Sequence, residues 1–376
     1  MVVCQKSKID DWVEHFEKYY SHKCLVLDLT NKKRFEHYIQ YADVPVHIVG
    51  VINYDLIFRR SDLSQIHIDT LMLDESSLIQ NESSKRSKFI LRRLQFDNLI
   101  LLSGTPTNGK YENLWSQIHL LGWDISKDLY WKHYIDFEWQ KNNGFPMKVV
   151  KGYKHVERLK RKLREYGAQF LKTEDVMDLP EQIEQEIRLS TTKEYRKFKK
   201  DSIVEIDSQL LVGDTILTKI LYERQLCGHY NKFKLEAFRD LVESTNDRLI
   251  VFYNFNSELE KLTQIAEECD RPISIVNGSQ KSLDNYESSS NSITFIQYQA
   301  GAMGLNLQKA NKIIYFTLPL GKGSCGLWEQ SKKRIHRIGQ NQPCFYYYLL
   351  CRNSIEERNL KQLKIGKDLT DELFVE

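Results

Sequence analysis

The chain has 376 residues, 41% of them apolar and 28% charged, with a formal net charge of +3. That length suggests about two domains with real cores, and the composition excludes a mostly disordered chain. The near-balanced charge excludes a polybasic or polyacidic protein, but a local nucleic-acid footprint stays open because it depends on where the charges sit.

In chain order, Met1–Cys4 is a short apolar strand, followed by Ser7 as N-cap of a helix whose inner face is Trp12, Phe16 and Tyr19. Apolar runs at Cys24–Leu27, Val46–Ile52, Ile68–Leu73 and Leu99–Leu102 read as further strands, with a helix over Ser84–Leu94 between two of them. This is the rhythm of a mostly parallel sheet. After Gly122 the rhythm breaks. From Trp123 to about Pro180 the chain is aromatic and basic, with a helix near His155–Tyr166 facing inward through Val156, Leu159, Leu163 and Tyr166. Strands resume at Arg248–Tyr253, Ile273–Val276, Ile293–Gln297, Lys312–Phe316 and Phe345–Leu350, with a helix at Ser257–Glu268 and a polar loop at Gln280–Ser292. The pattern predicts two α/β lobes, 1–122 and 185–376, joined by a helical basic segment, 123–184. Ligands bind such lobes at the carboxyl ends of strands.

The seven cysteines are odd in number, widely spaced and lack any C-x-x-C pair, so core thiols in a reducing cytoplasm are expected. No apolar run reaches the ~20 residues that span a bilayer, and no membrane partner is expected. Met1–Cys4 reads as a strand, not a leader.

The sharpest local signal is Leu73-Asp74-Glu75-Ser76-Ser77, an acidic pair directly after a buried strand. Asp74 suits water-mediated Mg²⁺ binding and Glu75 suits activation of the water that attacks a γ-phosphate. The structural alternative is that Asp74 caps the next helix. The following strand ends in Ser103-Gly104-Thr105-Pro106, whose hydroxyls are placed to sense phosphate state. Gly104–Tyr111 nearly matches a P-loop, but Tyr111 cannot supply the small Mg²⁺-ligating hydroxyl and the order is wrong, since a P-loop precedes its acidic strand. In the second half, Gly301 and Gly304, with Asn306 beyond them, form a loop whose backbone N–H groups can approach a phosphate. Gln330–Gln340 (QSKKRIHRIGQ) carries Arg334 and Arg337, three apart and so on one face if helical. A solvated basic helix is the alternative.

Taken in order, these segments resemble the Swi/Snf family of ATP-dependent DNA translocases in helicase superfamily two. MVVCQKSKIDDW looks like motif Ia, INYD like motif Ib, LDESS like motif II, LLSGTP like motif III, LIVFYNF like motif IV, QAGAMGLNLQ like motif V and QSKKRIHRIGQ like motif VI. Lys172–Pro180 (KTEDVMDLP) is similar to the family's inter-lobe linker. The resemblance implies two RecA-like lobes, the first incomplete, using ATP and Mg²⁺ on double-stranded DNA without strand separation. It implies Asp74 and Glu75 as catalytic carboxylates, with Asp74 the metal ligand through water. Arg334 and Arg337 become catalytic guanidiniums reaching the ATP phosphates across the cleft, with Arg337 as arginine finger. It implies Gln330, Ser103 and Thr105 as coupling groups. Lys6, Ser7, Asn53, Tyr54, Gly301, Gly304 and Asn306 become nucleic-acid contacts. An RNA helicase of the same superfamily would more usually read H-R-I-G-R in motif VI.

Ser77 stands where the family's DEAH form has histidine, a form common in compact, phage-type relatives; no W-N-P follows motif V, and no chromatin-reading module is attached, which points to a phage or bacterial protein rather than a nucleosome remodeller. The chain starts on the motif Ia strand. The expectation is therefore a missing Walker A segment, supplied by a separate polypeptide or lost, and weak ATP binding by this chain alone. A nucleotide-free DNA-binding remnant and one subunit of a split motor are the alternatives. Finally, Lys148–Gly167 holds eight Lys/Arg against two Glu, and Lys160 and Arg161 lead a set of expected phosphate contacts that also includes Lys151, Lys154, Arg158 and Arg164.

Overall fold

A computed structural model describes residues 1–20, 24–30, 47–142, 145–171, 178–301, 304–321 and 323–372. It divides into two compact units, Met1–Leu171 together with the end of the chain from Asp368, and Lys172–Lys367. No helix among the described residues is long and apolar enough to cross a membrane.

The first unit is built on a five-stranded, all-parallel sheet. Its strands are β1 (Val2–Cys4), β2 (Cys24–Asp28), β3 (His47–Asn53), β4 (His67–Asp74) and β5 (Gln95–Leu102), in the order β2-β3-β1-β4-β5. Helices α1 (Ile9–Tyr20), α2 (Tyr54–Ile57) and α3 (Lys85–Arg93) connect them. Both faces are covered over the central strands, as a parallel sheet requires. Val3, Ile52, Leu71 and Leu73 meet Ile79 and Ile90 on one side, while Val2, Cys4 and Val51 meet Trp12, Val13 and Phe16 of α1 on the other. Two details differ from expectation. Ser7 lies inside a 3-10 turn, Lys6–Lys8, and α1 starts only at Ile9. Tyr19 is 57% exposed, because it comes after the stretch of α1 that packs on the sheet.

The segment after Gly122 is not purely helical. Helices α4 (Trp115–Leu120) and α5 (Lys127–Tyr134) lead into an antiparallel hairpin, β6 (Ile135–Asn142) with β7 (Phe145–Tyr153), and then α6 (Val156–Glu165). The alternation Phe137-x-Trp139 and the Met147–Val150 run are strand patterns that the aromatic and basic composition hid. Nor does compactness divide at 122. Tyr111, Leu114 and Ile118 share one core with Tyr130, Tyr134, Leu159 and Leu163, which ties this segment to the first unit. Linker residues 172–177 lie outside the described residues.

The second unit holds β8 (Gln182–Leu189), α7 (Lys193–Asp201), the hairpin β9 (Ile203–Ile206) and β10 (Gln209–Val212), α8 (Ile216–Cys227) and α9 (Lys232–Glu243). Then come β11 (Leu249–Tyr253), α10 (Asn256–Glu268), β12 (Ile273–Val276), β13 (Lys281–Ser282), α11 (Asp284–Ser288), β14 (Ile293–Gln297), α12 (Tyr298–Gly301), β15 (Lys312–Tyr315), α13 (Ser324–Lys332), β16 (Cys344–Cys351) and α14 (Ile355–Asp371), whose last residues from Asp368 count with the first unit. The sheet runs β13-β12-β14-β11-β15-β16-β8, parallel except for β13. The expected loop at Gln280–Ser292 therefore contains a short edge strand and a helix turn, anchored by Tyr286, whose ring is buried against the core. Along β16 the period of two is visible. Cys344, Tyr346, Tyr348 and Leu350 enter one core layer and Leu349 the other. Tyr315 stacks on Tyr348 at 4.8 Å between ring centroids. All seven cysteines are free thiols. Burial and the neighbouring Asp74 and Asp11 carboxylates push the Cys4 thiol up to about 12, so it stays protonated and inert.

Candidate nucleotide and nucleic-acid sites

In the first unit β4 lies between β1 and β5, and all three run the same way, so their carboxyl ends form one rim. Asp74 ends β4. Glu75 follows in the left-handed region (φ 53°, ψ 54°), a conformation that costs a non-glycine residue roughly 1–2 kcal/mol. That turn starts the 3-10 segment Ser76–Ile79, and no side chain caps it. Asp74 is therefore not a helix cap. Its Oδ2 instead accepts a 3.0 Å hydrogen bond from Trp12 Nε1, and its backbone carbonyl accepts one of 2.8 Å from Tyr54 Oη. The other carboxylate oxygen has no partner among the described residues. A hard, half-exposed oxygen at a strand end fits water-mediated Mg²⁺.

Two hydrogen-bond paths join the acidic loop to Ser103–Pro106 at the end of β5. Ser76 Oγ donates to Gln117 Oε1 (2.8 Å), and Gln117 Nε2 donates to the Pro106 carbonyl (2.8 Å). Thr105 Oγ1 donates to Asn108 Oδ1 (3.2 Å), and Asn108 Nδ2 donates to Gln80 Oε1 (3.0 Å). Ser103 Oγ accepts from the Thr105 N–H (3.2 Å). The two loops are thus joined by buried or half-buried polar contacts. Gly104–Tyr111 is no phosphate loop here. Tyr111 is fully buried, its hydroxyl bonded to Glu372 (2.8 Å).

Several sequence-assigned contacts fall elsewhere. Asn53 and Tyr54 are 3% and 2% exposed. Asn53 Oδ1 accepts the Asp55 and Leu56 N–H groups at the start of α2, and Tyr54 props up Asp74, so neither side chain is presented to a polyanion. Lys160 is also buried (4% exposed), held to Glu157 at 3.0 Å, because it lies beside Leu159 and Leu163 on the inner face of α6. Lys6 and Arg161 are exposed, and Ser7 is half-buried.

In the second unit, Arg334 and Arg337 do not share a helix face. Helix α13 stops at Lys332, and the chain tightens into successive turns ending at Gly339 (φ 93°). Lys332 is a core residue, its ammonium 3.9 Å over the Trp328 ring and 2.5 Å from Glu184. Gln330 is half-buried on α13. The turns are fixed from behind. Gln340 Nε2 donates to the carbonyls of Gln308 (3.2 Å), Ala310 (2.9 Å) and Ile335 (3.3 Å), and its Oε1 accepts from the Asn341 and Gln342 N–H groups (both 3.0 Å). His336 Nε2 donates to the Pro180 carbonyl (2.9 Å), and the Leu307 N–H donates to the Arg334 carbonyl (3.1 Å). Arg337 Nη1 donates to Asn306 Oδ1. Gly301 closes α12, and Gly304 adopts φ 68° just before Asn306. The glycine loop and the arginine loop are one hydrogen-bonded body.

Sequence reading missed Trp12 as the partner of Asp74 and Gln340 as the organiser of the arginine loop. Both stand inside the quoted motif strings, which was the available signal.

Mostly parallel α/β sheets with motif residues following their strands, one in each unit, define a protein of two α/β units. The chain belongs to the SNF2-related family: residues 1–232 match the SNF2-related domain and residues 233–339 match the helicase conserved C-terminal domain. It is similar to the mouse SWI/SNF-related matrix-associated actin-dependent regulator of chromatin subfamily A member 1, 24% identical over 409 residues, covering 97% of this chain and 37% of that protein. It is also similar to an uncharacterized ATP-dependent helicase of Mycoplasma pneumoniae, 22% identical over 403 residues, covering 100% of this chain and 37% of that one. The chain thus spans well under half the length of these relatives. Among solved structures, a Sulfolobus solfataricus SWI2/SNF2 ATPase core in complex with dsDNA aligns over 100% of this chain and 84% of its own, at 19% identity and a TM-score of 0.37.

Proposed function

We propose that this chain is the motor portion of an ATP-dependent translocase on double-stranded DNA. The observation that carries the reading is the Asp74–Glu75 pair at the end of β4, with Asp74 held by Trp12 and Tyr54 and the following Ser76 linked through Gln117 to the Pro106 carbonyl. Bound Mg²⁺ would offset phosphate charge. Asp74 would hold its hydration shell, and Glu75 would orient and deprotonate the attacking water. Arg334 and Arg337 neutralise charge on the phosphates, and Gln330 couples hydrolysis to movement. The relatives' names as ATP-dependent helicase and chromatin regulator favour this class of activity. The test is duplex-stimulated ATP hydrolysis by the chain and by a Glu75→Gln variant. A loss of at least about 100-fold with unchanged folding is expected. Equal rates would remove Glu75 from the chemistry.

We further propose that a strand bearing the phosphate-cradling loop adds alongside β5, on a polypeptide segment outside the described residues. Four consecutive apolar residues, Leu99–Leu102, read as a strand covered on both faces, yet β5 is the sheet edge with Ile100 40% and Leu102 38% exposed. A strand added there would end beside Ser103–Pro106. ATP affinity then falls in the millimolar range for this chain by itself. Micromolar binding by the isolated chain would make an added strand unnecessary.

A further inference from the structure

Two of the basic helices, α6 and α7, differ in one respect that composition hides. On α6 the cations are largely neutralised in place: Lys160 pairs with Glu157 (3.0 Å), Arg161 with Glu165 (3.9 Å) and Lys162 with Glu165 (2.5 Å). On α7 (KEYRKFKKD) they are not. Lys193, Arg196, Lys197, Lys199 and Lys200 are all exposed. Arg196 Nε donates to the Thr192 carbonyl (3.4 Å) and Lys199 Nζ to the Asn353 carbonyl (2.8 Å), but no carboxylate pairs with any of the five among the described residues.

Helix geometry groups them. At ~100° per residue, Lys193, Arg196, Lys197 and Lys200 fall within an arc of about 100°, directly opposite Tyr195 and Phe198. Those two rings are buried, 1% and 0% exposed, and fix the rotation of the helix. Glu194 and Asp201 lie on the flank. The four cations sit three or four residues apart, so they repel one another along the free helix. A ligand with closely spaced negative charge relieves that repulsion.

We propose that the outward arc of α7 is a phosphate-backbone contact site for duplex nucleic acid, additional to the motif residues. It rests on the reading of the chain as a duplex-DNA motor and deepens it. From Lys193 to Lys200 the helix rises ~10 Å, a length over which duplex DNA presents about six charges. No apolar side chain lies on the arc, so it lacks the anchor that an interfacial membrane helix inserts. Contacts of this kind position the protein without reading sequence.

The test compares the full chain with a variant carrying Lys193→Gln, Arg196→Gln, Lys197→Gln and Lys200→Gln, using a labelled mixed-sequence duplex across a salt series. The substituted positions are exposed, and circular dichroism with thermal melting checks that the fold is kept. The expected result is affinity weaker by at least about tenfold, with a salt-dependence slope smaller in magnitude by about 3. A second variant, Lys193→Arg, Lys197→Arg and Lys200→Arg, keeps the slope. An unchanged slope in the glutamine variant, with wild-type binding intact, overturns the α7 site but leaves the motor reading standing. No duplex binding by the wild type overturns both. Anionic phosphatidylserine–phosphatidylcholine vesicles are the second arm. If the glutamine variant loses vesicle binding while its duplex slope stays the same, the arc is a membrane contact and the proposal fails.

Discussion

Trp12 Nε1 donates a 3.0 Å hydrogen bond to Asp74 Oδ2 across 62 positions of sequence. The indole comes from α1, on the face packed against the sheet, and the carboxylate from the end of β4. The contact fixes the orientation of the carboxylate and leaves its other oxygen for a hydrated cation.

Trp12→Phe keeps the packing and removes the donor. A Mg²⁺ titration of nucleotide hydrolysis is expected to show a requirement raised by about tenfold, while stability falls by no more than about 1.5 kcal/mol. An unchanged Mg²⁺ midpoint would show that the indole does not position Asp74.

Gln340 ties five backbone groups of the arginine loop together. Gln340→Ala leaves buried carbonyls without donors and should cost roughly 2–4 kcal/mol in urea unfolding. Gln340→Glu should be at least as damaging, since it turns the donating end toward those carbonyls into an acceptor. A glutamate variant as stable as the wild type would contradict this assignment.

His229 lies against the Tyr230 ring with Nδ1 3.2 Å from Ser257 Oγ. Burial, and then the nearby Lys261 charge, lower its pKa from 6.5 to about 4, against a smaller opposing pull from Asp207. Between these two values the unfolded chain binds the proton and the folded chain does not, so stability is present above the unfolded pKa and is lost as pH falls. With the partial exposure of the ring discounted, the loss is on the order of 1–2 kcal/mol between about pH 6.5 and 4. His229→Asn should flatten that part of the stability profile in denaturant titrations, and an unaltered slope would exclude the histidine as its source.

Lys160 and Arg161 are neighbours in sequence with opposite exposure, 5% and 72% for their side chains. Lys160→Glu would bury a carboxylate beside Glu157 and should lower stability by about 3 kcal/mol. Arg158→Gln with Arg161→Gln should leave stability within about 0.5 kcal/mol each while reducing the salt slope of duplex binding by about 1–2. Equal melting temperatures for Lys160→Glu and the wild type would refute the burial.

Motif strings such as LDESS and RIHRIGQ were legible in sequence because they are local: an acidic pair after an apolar run, and arginines at short spacing. So were most strands of both sheets, since parallel strands covered on both faces read as continuous apolar runs, whereas the edge strands β8 (QIEQEIRL) and β13 carry too many polar residues to show that signal. The hairpin β6–β7 was harder, because its alternating aromatic residues sit among lysines. The role of Asn53 was misread for a different reason. Its amide oxygen satisfies N–H groups at the start of α2, and that competition between an external phosphate and an internal backbone partner has no signature in composition.

From its sequence alone this protein had a fold class, an order of motifs and a family, because periodicity and short-range spacing record which residues leave water and which chemistry follows each strand. Tertiary structure decided which of the charged residues are free to act. Lys160 and Lys332 are locked against Glu157 and Glu184, while the cations of α7 have no carboxylate partner among the described residues. The physical reason is that pairing and desolvation depend on neighbours brought together by folding, and the strength of a charge toward a ligand is set by those neighbours more than by its own identity.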